Sequence, residues 1–274
     1  MKITKRQLRQ ICEIFLRENV SSSRDDTEGA DAQEEEDDSI GSGPLSSGDY
    51  PVENIRLIEA EMDAVGMTNQ YARIALLSVL AKESGLVPKS EKTYNKTSLS
   101  RIKEIWPWMG EKYTDEELEK IKKSTSPSDG NQKEGLGLFD IVYGPERPGN
   151  KSEKYGNTGP HDGSKYRGRG FNQLTWKGSY EKYAALSGVD IVSNPDLLND
   201  PSVAAKVSVR FLANRLKSGP RELGLNGTAN PDFTNQADAN KMLARANAGW
   251  GKGGSALTRA ITNTNKASKK FSLA

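Results

Sequence analysis

The sequence predicts a mainly α-helical fold with at most a small β-hairpin, preceded by a short helix and a disordered acidic linker. Three observations carry this. Apolar residues recur at helical spacing through most of the chain beyond residue 50. Runs of β-branched residues with period two are scarce. Residues 21–50 are too acidic and too poor in apolar groups to complete a core.

Three segments follow. In residues 1–20, Ile3, Leu8, Ile11 and Phe15 fall at three-to-five spacing with Lys and Arg between them, as in an amphipathic docking or targeting helix. In residues 21–50, nine acids and no base lie between Asp25 and Asp38, followed by Gly, Ser and Pro, which reads as a linker. Residues 51–274 read as the folded domain. Asp49 is placed to cap its first helix and Pro51 suits the first turn. Ile55, Ile58, Met62 and Val65 form the buried stripe, and Gly66 ends it. The next helix starts near Thr68 and stops at Gly85. Tyr71, Ile74, Ala75, Leu77, Val79 and Leu80 make it apolar nearly all round, hence central. A helix opens at Thr97-Ser98 and runs to about Trp106, with Trp106 and Trp108 packing the core. Thr114 and Glu117 form a capping box for a polar helix to about Lys123. Residues 125–169 read as loops apart from a short helix around Leu136 to Tyr143. Helices resume near Tyr180, at 201–217, at 236–247 and from about Ser255.

Composition narrows the chemistry. Hydrophobic residues make up 34% of the 274, low for a wholly globular chain. Residues 1–50 carry 6 Lys/Arg against 12 Asp/Glu, while the remainder carries 33 against 25, so the domain is basic although the chain has a net charge of only +2. A basic domain suits an anionic polymer, either nucleic acid or an acid-bearing cell wall, and ordinary solubility accounts for it equally well. No stretch interleaves Lys or Arg with aromatics as a nucleic-acid module would, so no nucleic-acid partner is expected. Cys12 is the only cysteine and His161 the only histidine. An internal disulfide and a His/Cys zinc site are excluded, and a Ser-His-Asp or Cys-His mechanism would have to use His161. Neither metal nor cofactor is expected. No apolar run reaches the roughly 18 residues of a membrane span, so no membrane partner is expected. Glu13 interrupts the apolar run at Ile11–Leu16 with no cleavage site after it, which reads as no secretory signal.

Two motifs carry chemistry. Tyr166-Arg167-Gly168-Arg169-Gly170-Phe171-Asn172-Gln173-Leu174-Thr175 alternates glycine with arginine, then offers short polar side chains able to hold a hydroxyl or a water. Upstream, Ala81-Lys82-Glu83-Ser84-Gly85 ends the apolar helix on a carboxylate. There the helix macrodipole is negative, and apolar neighbours add desolvation; both favour the protonated form of a general acid. A solvent-facing Glu at a helix end is the bland reading of the same residues. Glu91 is the second carboxylate. One continuous helix would set it about 12 Å from Glu83, but Gly85 and Pro88 break the helix and let the chain fold back. Asp162 and Glu104 stand in reserve.

Together these segments resemble the family 19 glycoside hydrolases, the chitinase-like group that includes many bacteriophage endolysins. The likeness spans roughly residues 70–250 and is strongest at 166–175. It implies a lysozyme-like helical domain that degrades bacterial peptidoglycan by general acid/base catalysis with inversion. It implies Glu83 as acid and Glu91 as base, although some relatives place an acid one residue later, where this chain has Lys92. Thr175 would fix the attacking water or, on the bland reading, cap the next helix. Gln173 would bind an N-acetyl group or a hydroxyl, with Asn172 beside it, and Asn247 resembles the family's C-terminal cleft asparagine. Tyr94, Tyr166 and Trp250 are candidates for stacking on sugar rings. Arg167 and Arg169 either bind near the carboxylates or form structural ion pairs. Residues 1–18 resemble N-terminal segments of tailed-phage proteins, some trimmed after a Leu-x-Glu step like Leu16-Arg17-Glu18, and would contact virion proteins. The protein would then work from a phage particle, or from the host cytoplasm with holin-assisted export. A lytic transglycosylase and an inactive wall-gripping virion component are the alternatives. The stretch 110–160 matches no pattern.

Overall fold

The computed structural model describes residues 50–123, 136–149, 151–225, 227–251 and 253–271. The expectations for the N-terminal helix, the linker and the Asp49 cap lie outside the described residues. Within them the protein is mainly helical, and the only β pairing is an isolated antiparallel bridge between Arg169 and Leu174.

Helix α1 (Val52–Ala64) starts on Pro51, which is itself the N-cap and has no side-chain capping bond. Helix α2 (Gln70–Ser84) begins two residues later than Thr68, because Asn69 caps it by accepting from the Ala72 N–H. Asn230 Oδ1 takes the Thr68 and Asn69 N–H groups that the helix leaves over. Gly85 ends α2 in the left-handed conformation at φ 63, a position that Gly fills without steric cost. Eleven of its fifteen residues are buried, as its all-round apolar pattern predicts. Helix α3 (Leu99–Ile105) is capped by Ser98, and Pro107 restarts the chain as α4 (Pro107–Lys112), a break that the apolar spacing does not show. The Thr114–Glu117 box forms in both directions at the head of α5 (Asp115–Lys123).

The stretch expected as loop holds α6 (Leu138–Val142), as predicted, and two further single-turn helices, α7 (Lys151–Lys154) and α8 (Asp162–Lys165). Helix α9 (Lys177–Ser187), a 3-10 turn at Pro195–Asn199, α10 (Pro201–Lys217), a 3-10 turn at Arg221–Leu223, α11 (Gln236–Ala248) and α12 (Gly254–Ser268) complete the order. Asp200 caps α10 through the Ser202 and Val203 N–H groups.

Two apolar clusters result. In the larger, α2 packs on α11 and α12, α1 on α10, and α10 on α9. The smaller gathers Ile102, Trp106, Met109, Leu118 and residues 138–143, with Tyr94, Trp108 and Trp176 packed against it. The chain crosses from the larger to the smaller between Leu86 and Tyr94, and touches both again between Leu174 and Trp176. Helix α8 packs on α6 so closely that a Cβ on Gly163 would stand 2.1 Å from the Phe139 carbonyl oxygen. Gly163→Ala should therefore cost about 3 kcal/mol, the upper end of ordinary overpacking, because backbone must move. A denaturant midpoint within error of the parent would refute this contact.

Candidate active site

Glu83 sits in the last turn of α2 and is 7% exposed. Its Oε1 accepts from Lys82 Nζ at 2.7 Å and from Asn247 Nδ2 at 2.8 Å, the latter from the last turn of α11. The carboxylate is buried, yet its neighbours are not purely apolar, as the helix pattern alone implies: it is ion-paired and amide-bonded. Asn247 does reach the glutamate with which the motif order associates it.

Glu91 lies in the crossing segment and is fastened to the 166–175 loop twice. Its N–H donates to the Gly168 carbonyl at 2.7 Å, and its Oε2 accepts from the Gly168 N–H at 3.3 Å. Its Oε1 accepts from Tyr143 at 3.1 Å and Tyr94 at 3.4 Å. The residue as a whole is half-buried, and its carboxyl group is enclosed. Desolvation pushes its pKa from 4.5 up to about 7, against the opposing pull of the Gly168 N–H, both phenols and the Arg167 charge. Burial and the nearby Glu91 charge push both phenols up, so Tyr94 and Tyr143 stay protonated donors.

The 166–175 loop is a tight hairpin. Arg169 and Leu174 exchange both backbone hydrogen bonds, and Gly170 turns at φ 79. Gln173 donates to the Lys89 carbonyl at 2.9 Å and to the Gly170 carbonyl at 3.1 Å, so its amide hydrogens tie the hairpin to the Glu91 segment. Three non-glycine residues have left-handed backbone, namely Leu86 at φ 56, Gln173 at φ 50 and Trp176 at φ 79. All three flank Glu91 or the hairpin. Such conformations cost about 1–3 kcal/mol each and persist only where the surroundings impose them, most often at functional sites.

Several sequence candidates lie elsewhere. Asn172 turns inward with Phe171 and accepts from Ser208 of α10 at 2.9 Å. Tyr166 is 2% exposed and packs edge-on against Tyr180, so it offers no sugar platform. Tyr94 is wedged between Trp106 and Phe139 and serves Glu91 instead. Trp250 is partly buried against the larger cluster, and its indole N–H meets no acceptor among the described residues. Arg169 is a structural ion pair, donating to Asp196 at 2.8 Å and to the Lys165 carbonyl. Arg167 donates to the Ser164 carbonyl, and its charge bears on Glu91. Thr175 does not cap α9, whose N-cap is Trp176; its hydroxyl donates to the Gln173 carbonyl at 2.9 Å, leaving the oxygen able to accept from a water. Of the reserves, Asp162 takes the Thr158 and Gly159 N–H groups, and Glu104 pairs with Arg101 on the surface.

Two contacts leave no signal in the sequence. Lys82 pairs with its immediate neighbour, a spacing that does not ordinarily bring helical side chains together. Tyr143 reaches Glu91 from 52 positions away. No group of three His, Cys, Asp or Glu side chains able to hold a metal ion occurs among the described residues, and no helix among them is long and apolar enough to cross a membrane.

No family model matches the chain, and no curated protein does. Among solved structures, the crystal structure of a chitinase C mutant matches at 15% identity with a TM-score of 0.41, over 83% of this chain and 85% of that one. At that level of likeness the site has to be read from its own geometry.

Proposed function

We propose that the protein is a glycosidase that cleaves β-1,4 bonds in bacterial peptidoglycan, as a phage endolysin or a virion-associated lysin. One observation carries the reading: Glu91 and Gln173 hydrogen-bond the Glu91 segment to the 166–175 hairpin around an enclosed carboxyl group, with a second buried glutamate at the helix end just before it. Glycoside hydrolysis needs two such groups. Glu83 protonates the leaving oxygen while Asn247 fixes its orientation. Glu91 takes the proton of a water, and the product leaves with inverted anomeric configuration. A carboxyl group poised near neutrality is a stronger base than an ordinary one. Thr175 accepts a hydrogen bond from that water. The basic domain holds the acidic wall, and residues 1–18 engage the virion.

The test is mass spectrometry of purified peptidoglycan after digestion. New reducing ends are expected. Anhydro ends would assign a transglycosylase, and no release would leave only wall binding. The pH dependence tests the roles separately. With Glu91 as base, kcat rises with pH through an apparent pKa of about 7, the value to which Glu91 is pushed. A limb that falls through the same pH would exchange the roles of the two glutamates.

A further inference from the structure

The stretch 110–160 carries no motif, yet it supplies the shortest of the hydrogen bonds to the Glu91 carboxyl, from Tyr143 at 3.1 Å. That phenol is held on every side. The Tyr143 N–H donates to the Phe139 carbonyl at 2.9 Å, which closes α6. Its own carbonyl accepts from Asn157 Nδ2 at 2.8 Å, and Asn157 Oδ1 accepts from the Lys177 N–H at 2.8 Å, at the head of α9. Its ring stacks on Phe139 at 6.1 Å and meets the edge of Trp176 at 5.3 Å. The next residue, Gly144, has no room for a side chain, since a Cβ would stand 1.9 Å from the Asp140 oxygen. Backbone bonds and ring contacts together direct the hydroxyl at Glu91.

We propose that Tyr143 is a positioning residue for Glu91, and that the 136–158 region serves the site by delivering it. The proposal rests on the reading above, in which Glu91 acts on the substrate. The phenol fixes the direction of the carboxyl group and, as a donor to its ionised form, holds down a basicity that enclosure would otherwise raise further. The other groups bearing on Glu91 are Tyr94 from its own segment and the Gly168 N–H and Arg167 charge from the hairpin. Behind them, Arg101 acts on Tyr94 and Arg147 on Tyr143.

Tyr143→Phe in the full chain tests this. The ring stays, so the packing stays. Loss of the hydroxyl should move the rising limb of kcat up by about one pH unit, the scale of one hydrogen bond to a charge. Turnover at pH 7 should fall about fivefold while KM is unchanged. A difluorotyrosine placed at position 143, a stronger donor, should move the limb the opposite way. Titration of carbon-13-labelled glutamate carboxyls by NMR, with Glu91→Gln assigning the signal, reads the same shifts without substrate. The titration therefore decides the role of Tyr143 whether or not the protein turns over peptidoglycan. Absence of turnover in the parent would sink the glycosidase reading alone. Carboxyl titrations that do not move, or that move in the same direction for both replacements, would overturn the positioning role.

Discussion

Glu91→Gln should lower turnover at least about 100-fold and, above pH 7, make the fold more stable. The stability effect follows from the raised pKa. The folded state holds the Glu91 proton up to about 7, whereas an unfolded chain releases it near the ordinary 4.5. Folding is therefore favoured by this group below the lower value, loses that advantage as pH rises through the window, and bears the full cost of an enclosed charge above it. A shift of that size corresponds to about 3 kcal/mol. Glutamine removes the charge. Its oxygen still accepts from Tyr94 and Tyr143, but its NH2 then faces the Gly168 N–H, donor against donor, which takes back about 1 kcal/mol. The net expectation is a gain of about 2 kcal/mol at pH 8, or roughly 5 °C in melting temperature, and no gain at pH 4. The same substitution removes the proposed base, with an expected loss of about 100-fold or more in kcat. Melting curves at the two pH values and a turnover assay read both effects. An equal change in melting temperature at pH 4 and pH 8 would mean that Glu91 is not held protonated by its enclosure.

Glu83→Gln should cost at least about 100-fold in turnover with the helical fold intact. The amide keeps an acceptor for Asn247 and cannot protonate a leaving oxygen. It loses the ion pair with Lys82, whose side chain is 19% exposed and can turn toward water. The amide oxygen still accepts from Asn247, so the stability penalty should stay near 1 kcal/mol, roughly the scale of one hydrogen bond. Reducing-end release from peptidoglycan, measured beside the parent at matched helical content, checks it. Turnover within a few-fold of the parent would remove Glu83 from the chemistry.

The long helices are legible in the sequence because their period repeats often enough to be read. The 201–217 helix, the Thr114–Glu117 box and the Gly85 stop all stand where spacing and capping residues put them. The single-turn helices at Lys151–Lys154 and Asp162–Lys165 are not legible, since one turn is too short to show a period. Among the site residues, the Glu83–Asn247 and Glu91–Gly168 contacts join segments that motif order alone groups together. Asn172 and Tyr166 mislead because a motif names residues without saying which way a tight hairpin points them. Tyr143 leaves no trace in the sequence, because a tyrosine at the end of a short helix looks like any other core aromatic.

The two glutamates take their side-chain contacts from different sets of elements. Glu83 belongs to the larger apolar cluster, while the phenols that grip Glu91 belong to the smaller. In the proposed mechanism, replacing the phenols would shift the pH at which Glu91 ionises while Lys82 and Asn247 stay on Glu83. Their separation is also not fixed by any one helix. What joins them is the hairpin, bonded to the Glu91 segment through Gly168 and Gln173.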